Sequence, residues 1–245
     1  LGGREECIHI SEVDFVVEGD NRQILELPAA QPDEIDERAA RLIVDEIVDG
    51  ATIQLGIGGM PNAVGNLIAE SDVRDLGMHT EMLVDAFLTM YEKGRLTNRR
   101  KQTDCGKGAW TFCLGSRRLY DWVDQNPFLA SYPVDYTNDP AVIAQNDNFV
   151  SVNNCIEADL YGQVSSETSG IRQISGSGGQ LDFVTGAYAS RGGKSFMCFR
   201  STYTDPRTGR LSSRVVPTLP TGGIVTTPRS QVHYFVTEWG KVNLA

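Results

Sequence analysis

The sequence lacks the signals of a membrane or secreted protein. It contains no apolar run near the roughly 20 residues that cross a bilayer, and its first residues have neither the basic nor the apolar region of a signal peptide. We therefore expect a soluble, cytoplasmic protein without membrane contact. Because the chain starts without methionine and stops shortly after a strong strand pattern, we also expect it to be a fragment of a longer protein.

Cysteine patterns that mark disulfide frameworks or zinc sites are missing as well. The five cysteines are odd in number, widely spaced and free of any CxxC pair. This arrangement predicts buried thiols in a reducing compartment rather than cross-links or metal ligands. We therefore expect no metal site.

Positive charge is scarce. Lys and Arg number 22 against 32 Asp and Glu, which gives a formal net charge of −10. Such a surface repels the phosphate backbone that supplies most non-specific affinity for nucleic acid, so we do not expect nucleic acid as a partner. The 245 residues, 40% of them hydrophobic, fit one globular domain, and no repeat or linker-like stretch marks a boundary.

The first half of the chain alternates strand and helix patterns. Apolar residues at helical spacing predict a helix at 35–47, and Gly50 follows it as a C-terminal cap. A buried strand is predicted at 51–55, a helix from Pro61, and a further parallel strand at 80–84. This order indicates the α/β class.

Strand patterns dominate the second half. Two short helices are expected first, one capped by Ser116 and one starting at Asp139. Strands are then predicted at 149–152, 156–160, 183–187, 195–200 and 232–237, in addition to a β-rich stretch at 7–17. We therefore predict a mainly parallel or mixed sheet flanked by helices.

A glycine loop, GIGGMP at 56–61, joins a predicted strand to a predicted helix. A glycine turn at a helix N-terminus presents free backbone N–H groups and the positive end of the helix dipole, which suits a phosphate or pyrophosphate. No Gly-Lys-Ser/Thr of a Walker A loop follows, and Pro61 replaces the third glycine of GxGxxG. ATP and NAD are therefore disfavoured, and a tight packing turn is the alternative.

Glu81 follows that loop by one predicted βαβ crossover. If the strands are parallel, their carboxyl ends meet at the crevice where open α/β sheets bind ligands. The alternative is a solvated or ion-paired carboxylate. The adjacent His79 is either a base or a hydrogen-bonded structural residue, and HTEM at 79–82 is not the HExxH of zinc proteases.

A serine–glycine run, SGSGG at 175–179, offers a second set of backbone donors. Such donors stabilise a developing oxyanion, although a flexible surface turn is the alternative. The run contains no GxSxG nucleophile elbow, so a serine hydrolase has no support. Two basic segments, 99–101 and 191–194, either meet a phosphate or form a solvated face.

Four motifs together carry a family resemblance. They are GIGGMPNAV at 56–64, HTEM at 79–82, NCIEADLYGQV at 154–164 and GSGGQLDF at 176–183. In this order, and over essentially the whole chain, they resemble the acetyl-CoA hydrolase/transferase family, including its CoA-transferases for butyryl-CoA and acetate or for 4-hydroxybutyrate. The resemblance implies a CoA-transferase-like fold of the NagB/RpiA type. It also implies that residues 1–245 are the C-terminal catalytic half, with an N-terminal CoA-transferase domain and a last C-terminal segment missing.

The resemblance also implies roles for individual residues. Glu81 matches the glutamate that attacks the acyl-CoA thioester in a ping-pong reaction through a glutamyl-CoA thioester. The expected CoA-binding positions are Gly56, Ile57, Gly58, Gly59, Met60, Ile156, Gly178 and Gly179. Glu157 is a rival nucleophile, but it shares one strand face with Asp159, and both are assigned to structural hydrogen bonding. Asp182 is expected to order a loop.

The implied substrates are a short-chain acyl-CoA and a carboxylate, with no tightly bound cofactor. The implied partners are the N-terminal half of the same enzyme and a second copy in a homodimer. Two alternatives stay open. A thioester hydrolase would let water resolve the intermediate, and a noncatalytic CoA-binding module would keep the glycine loops without needing Glu81.

Overall fold

The computed structural model describes residues 2–5, 7–27 and 31–245. The helices are α1 (Glu34–Val44), α2 (Gly59–Glu70), α3 (Asp85–Glu92), α4 (Arg117–Val123), α5 (Val134–Thr137), α6 (Pro140–Ile143) and α7 (Gln180–Ala189), and a 3-10 turn covers Ile10–Glu12. Within these ranges, no helix combines the length and the apolar character that a bilayer crossing requires.

The strands are short and numerous. They are β1 (Thr52–Leu55), β2 (Gly77–Met78), β3 (Met82–Leu83), β4 (Gly108–Trp110), β5 (Phe112–Cys113), β6 (Leu129–Ser131), β7 (Val150–Asn154), β8 (Glu157–Asp159), β9 (Val164–Ser165), β10 (Thr168–Ser169), β11 (Arg172–Gln173), β12 (Lys194–Cys198), β13 (Thr202–Thr204), β14 (Leu211–Ser213), β15 (Val215–Val216), β16 (Tyr234–Thr237) and β17 (Gly240–Asn243).

A six-stranded sheet in the order β17-β16-β12-β7-β1-β2 forms the centre of the structure. Its pairs are parallel except for the edge hairpin of β16 and β17. The inner strands β1 and β12 are almost wholly buried, as expected for a parallel sheet covered on both faces. The α/β class with a mainly parallel sheet is therefore confirmed.

The alternation along β12 shows which helices cover each face. Phe196 and Cys198 belong to the core that also contains residues of α1 and α2. Met197, between them, belongs to a second cluster that includes Val184 of α7. Because successive strand residues point to opposite faces, α7 covers the face opposite to α1 and α2. Parallel strands thus end between two helix N-termini, those of α2 and α7.

Helix α1 starts where its sequence signals predict. The Asp33 side chain accepts hydrogen bonds from the backbone N–H groups of Ile35 and Asp36, and the Asp36 carboxylate accepts one from the Asp33 N–H. This capping box satisfies donors that a helix N-terminus otherwise leaves unpaired. Asp36 also pairs with Arg200, which follows β12, and so attaches the helix to the sheet. The predicted start of this helix is confirmed, but its predicted end is wrong: α1 ends at Val44 with Asp45 as its C-cap, before the predicted Gly50 cap.

Three predicted strands differ from the structure. The segment at 183–187 lies in helix α7, because Phe183, Val184 and Ala187 bury one helical face. The strand predicted at 80–84 is reduced to β3, which covers Met82–Leu83 and pairs with β5, and the strand that joins the central sheet here is the earlier β2. The stretch at 7–17 contains only the 3-10 turn and is exposed, because no described strand pairs with its backbone.

Candidate active site

A cleft of about 480 Å³ lies at the carboxyl ends of β1 and β7. Its walls are the residues that follow these two strands, the serine–glycine loop before α7, and Glu81. This position matches the general rule that open α/β sheets bind ligands beyond the carboxyl ends of their strands.

Most of the predicted site residues meet in this cleft. Gly56, Ile57, Glu81, Ile156, Gly178 and Gly179 all line it. Gly58, Gly59 and Met60 do not, because they begin helix α2 behind the loop. Met60 is only 2% exposed and packs in the core. A role in CoA binding for these three residues stays a prediction.

The two glycine-rich walls carry unused backbone donors. Among the described residues, the N–H groups of Ile57, Ser177, Gly178 and Gly179 donate to no protein acceptor. Ile57 precedes α2, and the other three precede α7, so both sets lie next to a helix N-terminus. Such an arrangement favours an anionic ligand or a developing oxyanion.

Glu81 is held in place by its backbone and by its carboxylate. It lies between β2 and β3 rather than on a continuous strand, because the Thr80 N–H donates to Ala109 instead of to a strand of the central sheet. The Glu81 carbonyl accepts hydrogen bonds from the N–H groups of Thr111 and Phe112, at 3.0 and 3.1 Å. The half-buried carboxylate accepts a bond from Asn138 Nδ2 at 2.9 Å.

Asn138 is the site residue that the sequence did not indicate. It follows α5 and is 9% exposed, and its Oδ1 has no hydrogen-bond partner among the described residues. It lies 57 positions from Glu81, within no recognisable motif. Only the tertiary structure brings the two side chains together.

Gly179 packs directly against both of these groups. A Cβ at this position would overlap Glu81 Oε2 and Asn138 Nδ2. Gly179 is also the N-cap of α7, so the carboxylate lies at the positive end of that helix. The absence of a side chain is thus what allows the helix N-terminus to approach the carboxylate.

A second cavity, of about 560 Å³, borders Glu81 beside Asn138. Asp182 lines it from the first turn of α7. The predicted loop-ordering role of Asp182 is therefore wrong, since the residue lies in a helix. Burial raises the pKa of Asp182, and the negative charges of Glu81 and Asp139 add to this effect.

The two acids of β8 behave differently. Asp159 accepts hydrogen bonds from Gln163 and Leu219, which lower its pKa against the opposing effect of burial. The structural role predicted for Asp159 is therefore confirmed. Glu157 Oε1 is buried without a hydrogen-bond partner in the described part of the chain, and burial raises the pKa of Glu157. The predicted hydrogen-bonding role is wrong for this oxygen, and Glu157 does not line the cleft.

His79 is a structural residue. Its ring is fully buried edge-on against Phe149 and Phe183, and Nε2 hydrogen-bonds to the Thr137 carbonyl at 2.7 Å. Burial lowers its pKa to about 4, and the charge of Lys101 acts in the same direction. The structural interpretation of His79 is therefore confirmed.

Neither basic segment lines the cleft, whereas one cysteine, Cys155, does. Lys101 donates to the carbonyls of Met78 and Lys107, and Lys194 pairs with Glu46.

The prediction of buried thiols holds for two cysteines and fails for two. Cys155 and Cys198 are buried, Cys113 is half-buried, and Cys7 and Cys105 are exposed. Within 2–5, 7–27 and 31–245, no group of three or more His, Cys, Asp or Glu side chains is placed to hold a metal ion.

The fold and the cleft define a class: an α/β protein that presents a carboxylate between two glycine-rich loops with free backbone N–H donors. A family model for the acetyl-CoA hydrolase/transferase C-terminal domain matches residues 115–245. That match covers more than half of the chain. The chain therefore belongs to the acetyl-CoA hydrolase/transferase family.

Individual relatives agree with this family. The butyryl-CoA:acetate CoA-transferase of Anaerostipes caccae is 54% identical over 245 residues, 100% of this chain and 55% of that protein. The 4-hydroxybutyrate coenzyme A transferase of Clostridium kluyveri is 43% identical over 237 residues, 97% of this chain and 54% of that protein. The crystal structure of RipA from Yersinia pestis matches with a TM-score of 0.90 at 43% identity, covering 100% of this chain and 53% of that one. The chain thus spans about half the length of these relatives.

Proposed function

We propose that the full-length protein is a CoA-transferase that moves CoA between butyryl-CoA and acetate, with Glu81 as its nucleophile. The observation that carries this proposal is the position of the Glu81 carboxylate. It lies in the wall of the cleft, accepts a hydrogen bond from Asn138, and faces the N-terminus of α7. The name of the 54% identical relative supports the choice of substrates.

The first half of the reaction loads CoA onto the enzyme. A Glu81 oxygen attacks the thioester carbonyl of butyryl-CoA, the carbon–sulfur bond breaks, and a mixed anhydride and CoA thiolate form. The thiolate then attacks the Glu81 carbonyl carbon and expels butyrate, which leaves a glutamyl-CoA thioester. A carboxylate suits this role because an anhydride conserves the energy of the thioester.

The second half reverses these steps with the acceptor acid. An acetate oxygen attacks the glutamyl thioester, and CoA thiolate leaves as a new mixed anhydride forms. The thiolate attacks the acetyl carbonyl, so acetyl-CoA departs and the Glu81 carboxylate is restored. Every step is acyl transfer between oxygen and sulfur, so the proposed reaction requires neither a metal nor a redox cofactor.

The neighbours of Glu81 have defined tasks in this scheme. Each addition step places negative charge on a carbonyl oxygen, and the free N–H groups of Gly178 and Gly179 are donors for it. The amide of Asn138 holds the carboxylate in one orientation between turnovers. Loss of one such donor typically costs roughly 100-fold or more in kcat.

Remote parts of CoA supply binding energy in the proposed mechanism. The loops around Ile57 and Ile156 line the same cleft as Glu81, so a ligand held along them delivers its thioester to the carboxylate. Binding energy from the pantetheine and nucleotide is then available to align the reacting atoms. Gly58, Gly59 and Met60, which begin α2 behind this loop, are included in the proposed CoA-binding segment.

The proposal also includes the setting of the enzyme. We propose that a second half of the protein covers the cleft, in line with relatives about twice the length of this chain. A cytoplasmic homodimer without a tightly bound cofactor completes the proposal. Size measurement of the full-length protein in solution tests the dimer.

Intact-mass analysis tests the covalent step. Full-length protein is incubated with butyryl-CoA in the absence of acetate, and wild type is compared with Glu81→Ala. Wild type is expected to gain one CoA-sized adduct that acetate removes, and the variant is expected to gain none. An equal adduct on the variant, or no adduct on wild type, would contradict the role of Glu81.

Tests with different acceptor acids distinguish the proposed reaction from two related activities, transfer to or from 4-hydroxybutyrate and hydrolysis of acyl-CoA. The 43% identical relative named for 4-hydroxybutyrate makes that acid a second candidate substrate, and the ratio of kcat/KM for the two acids decides between them. The family description also includes hydrolases. A hydrolase releases CoA without an acceptor acid, whereas the proposed transferase shows turnover only when one is added.

A further inference from the structure

The cleft contains one cationic side chain, Arg214. It follows β14 and lines the same cavity as Glu81. Among the described lining residues, these two are the only charged ones. The cleft therefore carries a negative group at the reacting position and a positive group elsewhere along its wall.

Arg214 is held by its backbone, while its side chain is free to bind a ligand. Its N–H donates to the Ser201 carbonyl at 2.8 Å, and its carbonyl accepts from Ala158 at 2.9 Å. In the described part of the chain, its guanidinium makes no ion pair within 4.0 Å. Arg200, on the other side of the β13–β14 hairpin, pairs with Asp33 and Asp36 at 2.9 and 2.8 Å.

The Arg214 guanidinium lies over an aromatic ring. The Arg214 guanidinium carbon lies 5.5 Å from the centroid of the Tyr203 ring. This contact orients the side chain without using its N–H donors, because a ring face offers a cation–π interaction and no carboxylate. The N–H donors that match two oxygens of a carboxylate or a phosphate therefore remain available.

We propose that Arg214 binds a phosphate group of CoA and thereby sets the direction in which the ligand lies in the cleft. This assignment deepens the proposed function and rests on it. The thioester end of the ligand must reach Glu81, and the phosphates are the anionic groups farthest from the sulfur. A guanidinium forms two parallel hydrogen bonds to phosphate oxygens. In a chain with a net charge of −10, an unpaired cation in the cleft is the group that makes a polyanionic ligand acceptable.

Truncated forms of CoA test this assignment by calorimetry on the full-length protein. The ligands are CoA, dephospho-CoA, 4′-phosphopantetheine and pantetheine, the last at millimolar concentration. Arg214→Gln is expected to weaken CoA binding by about 10- to 100-fold, the range for a charge-assisted hydrogen bond, and to leave pantetheine unchanged. Arg214→Lys keeps the charge without the planar guanidinium, and its affinity for CoA is expected to lie between those of wild type and Arg214→Gln.

The truncated ligands also identify the phosphate. If Arg214→Gln weakens binding of CoA but not of dephospho-CoA, Arg214 contacts the 3′-phosphate. If Arg214→Gln still weakens binding of 4′-phosphopantetheine, Arg214 contacts the phosphate next to pantetheine. Arg99→Gln is the matched control, because Arg99 is exposed and lies outside the cleft; it should bind CoA like wild type. Thermal unfolding of each variant checks that the fold is intact.

Two results would overturn the assignment: equal affinity of wild type and Arg214→Gln for CoA, or an equal loss of affinity for pantetheine. Either is distinct from failure of the proposed function. Protein that binds CoA through Arg214 but forms no adduct at Glu81 would refute the transfer reaction and leave the phosphate site in place.

Discussion

Asn138 and Glu81 form the pair on which the proposed chemistry depends at the scale of single residues. The Asn138 amide donates to the carboxylate at 2.9 Å from a position that is only 9% exposed. In this environment the amide fixes one orientation of the carboxylate, and its loss leaves the carboxylate free to rotate. The residue therefore acts on the chemical step rather than on CoA binding, since it does not line the main cleft.

Asn138→Ala is expected to lower kcat by roughly 100-fold, the size typical for loss of one catalytic hydrogen-bond donor. The KM for butyryl-CoA should change little. Asn138→Asp, of nearly the same shape, is expected to be at least as damaging, because a second carboxylate repels that of Glu81. Steady-state kinetics measure both variants, and a change confined to KM would contradict this role.

Sequence motifs identify some residues of the site and leave others out. Glu81 and the two glycine loops stand in recognisable local patterns, so they are predictable without a structure. Asn138 and Arg214 enter the site through chain segments whose patterns carry no chemical signal. The roles proposed for them rest on a hydrogen bond of Asn138 and on the lack of an ion pair at Arg214 among the described residues, which are properties of the folded chain.

At the scale of elements, the junction between the serine–glycine loop and α7 brings the backbone to the carboxylate. The sequence pattern predicts a strand at 183–187, and the preceding loop at 175–179 is predicted only from its serine and glycine residues. A short apolar run is ambiguous between strand and buried helix, and a stretch of five residues is too short to distinguish the helical period from the strand period. The helix matters because its N-terminus at Gly179 faces Glu81.

Gly179→Ala tests this junction. The added Cβ would overlap Glu81 Oε2 and Asn138 Nδ2, so the carboxylate must move, and we expect a loss of at least 100-fold in kcat, in line with the effect of misplacing reacting groups by about 1 Å. Gly176→Ala in the same loop is the control, because its Cβ would meet nothing within 4 Å. Comparable activity losses in the two variants would show that the loop needs flexibility rather than close approach.

Elements with strong end signals were predictable, and those that depend on long-range pairing were not. Helix α1 has a capping box and acidic first turn in its own sequence, and β1 is a buried run before a glycine loop. The break between β2 and β3 has no local signal, because it arises when Thr80 pairs with Ala109 rather than with the central sheet. That break is what turns Glu81 out of the sheet and into the cleft.

For the molecule as a whole, the cleft depends on both faces of the central sheet. The glycine loop at 56–61 leads into α2 on one face, and the loop at 175–179 leads into α7 on the other. Neither loop encloses a ligand alone. Stability of the packing between the sheet and α7 is therefore a condition for the site, and His79 lies within that packing.

The buried His79 makes the stability of the whole molecule sensitive to mild acid. Its pKa is lowered from 6.5 to about 4, first by burial and then by Lys101. The unfolded chain therefore takes up the proton at a higher pH than the folded one. The stabilisation is complete above pH 6.5, and it is lost as the pH falls from 6.5 to about 4, on the order of 3 kcal/mol over the full window.

Urea unfolding of wild type and His79→Gln between pH 7 and pH 4 measures this effect. The variant cannot titrate, and its amide can still donate to the Thr137 carbonyl, so its free energy of unfolding should depend less on pH across the window. Titrating carboxylates that the two proteins share cancel in this comparison. Among them, the Glu46 carboxylate, whose pKa is held at about 2 by hydrogen bonds from Lys194 and Lys241, loses its contribution mainly at lower pH. Parallel pH profiles for the two proteins would mean that His79 does not control acid stability.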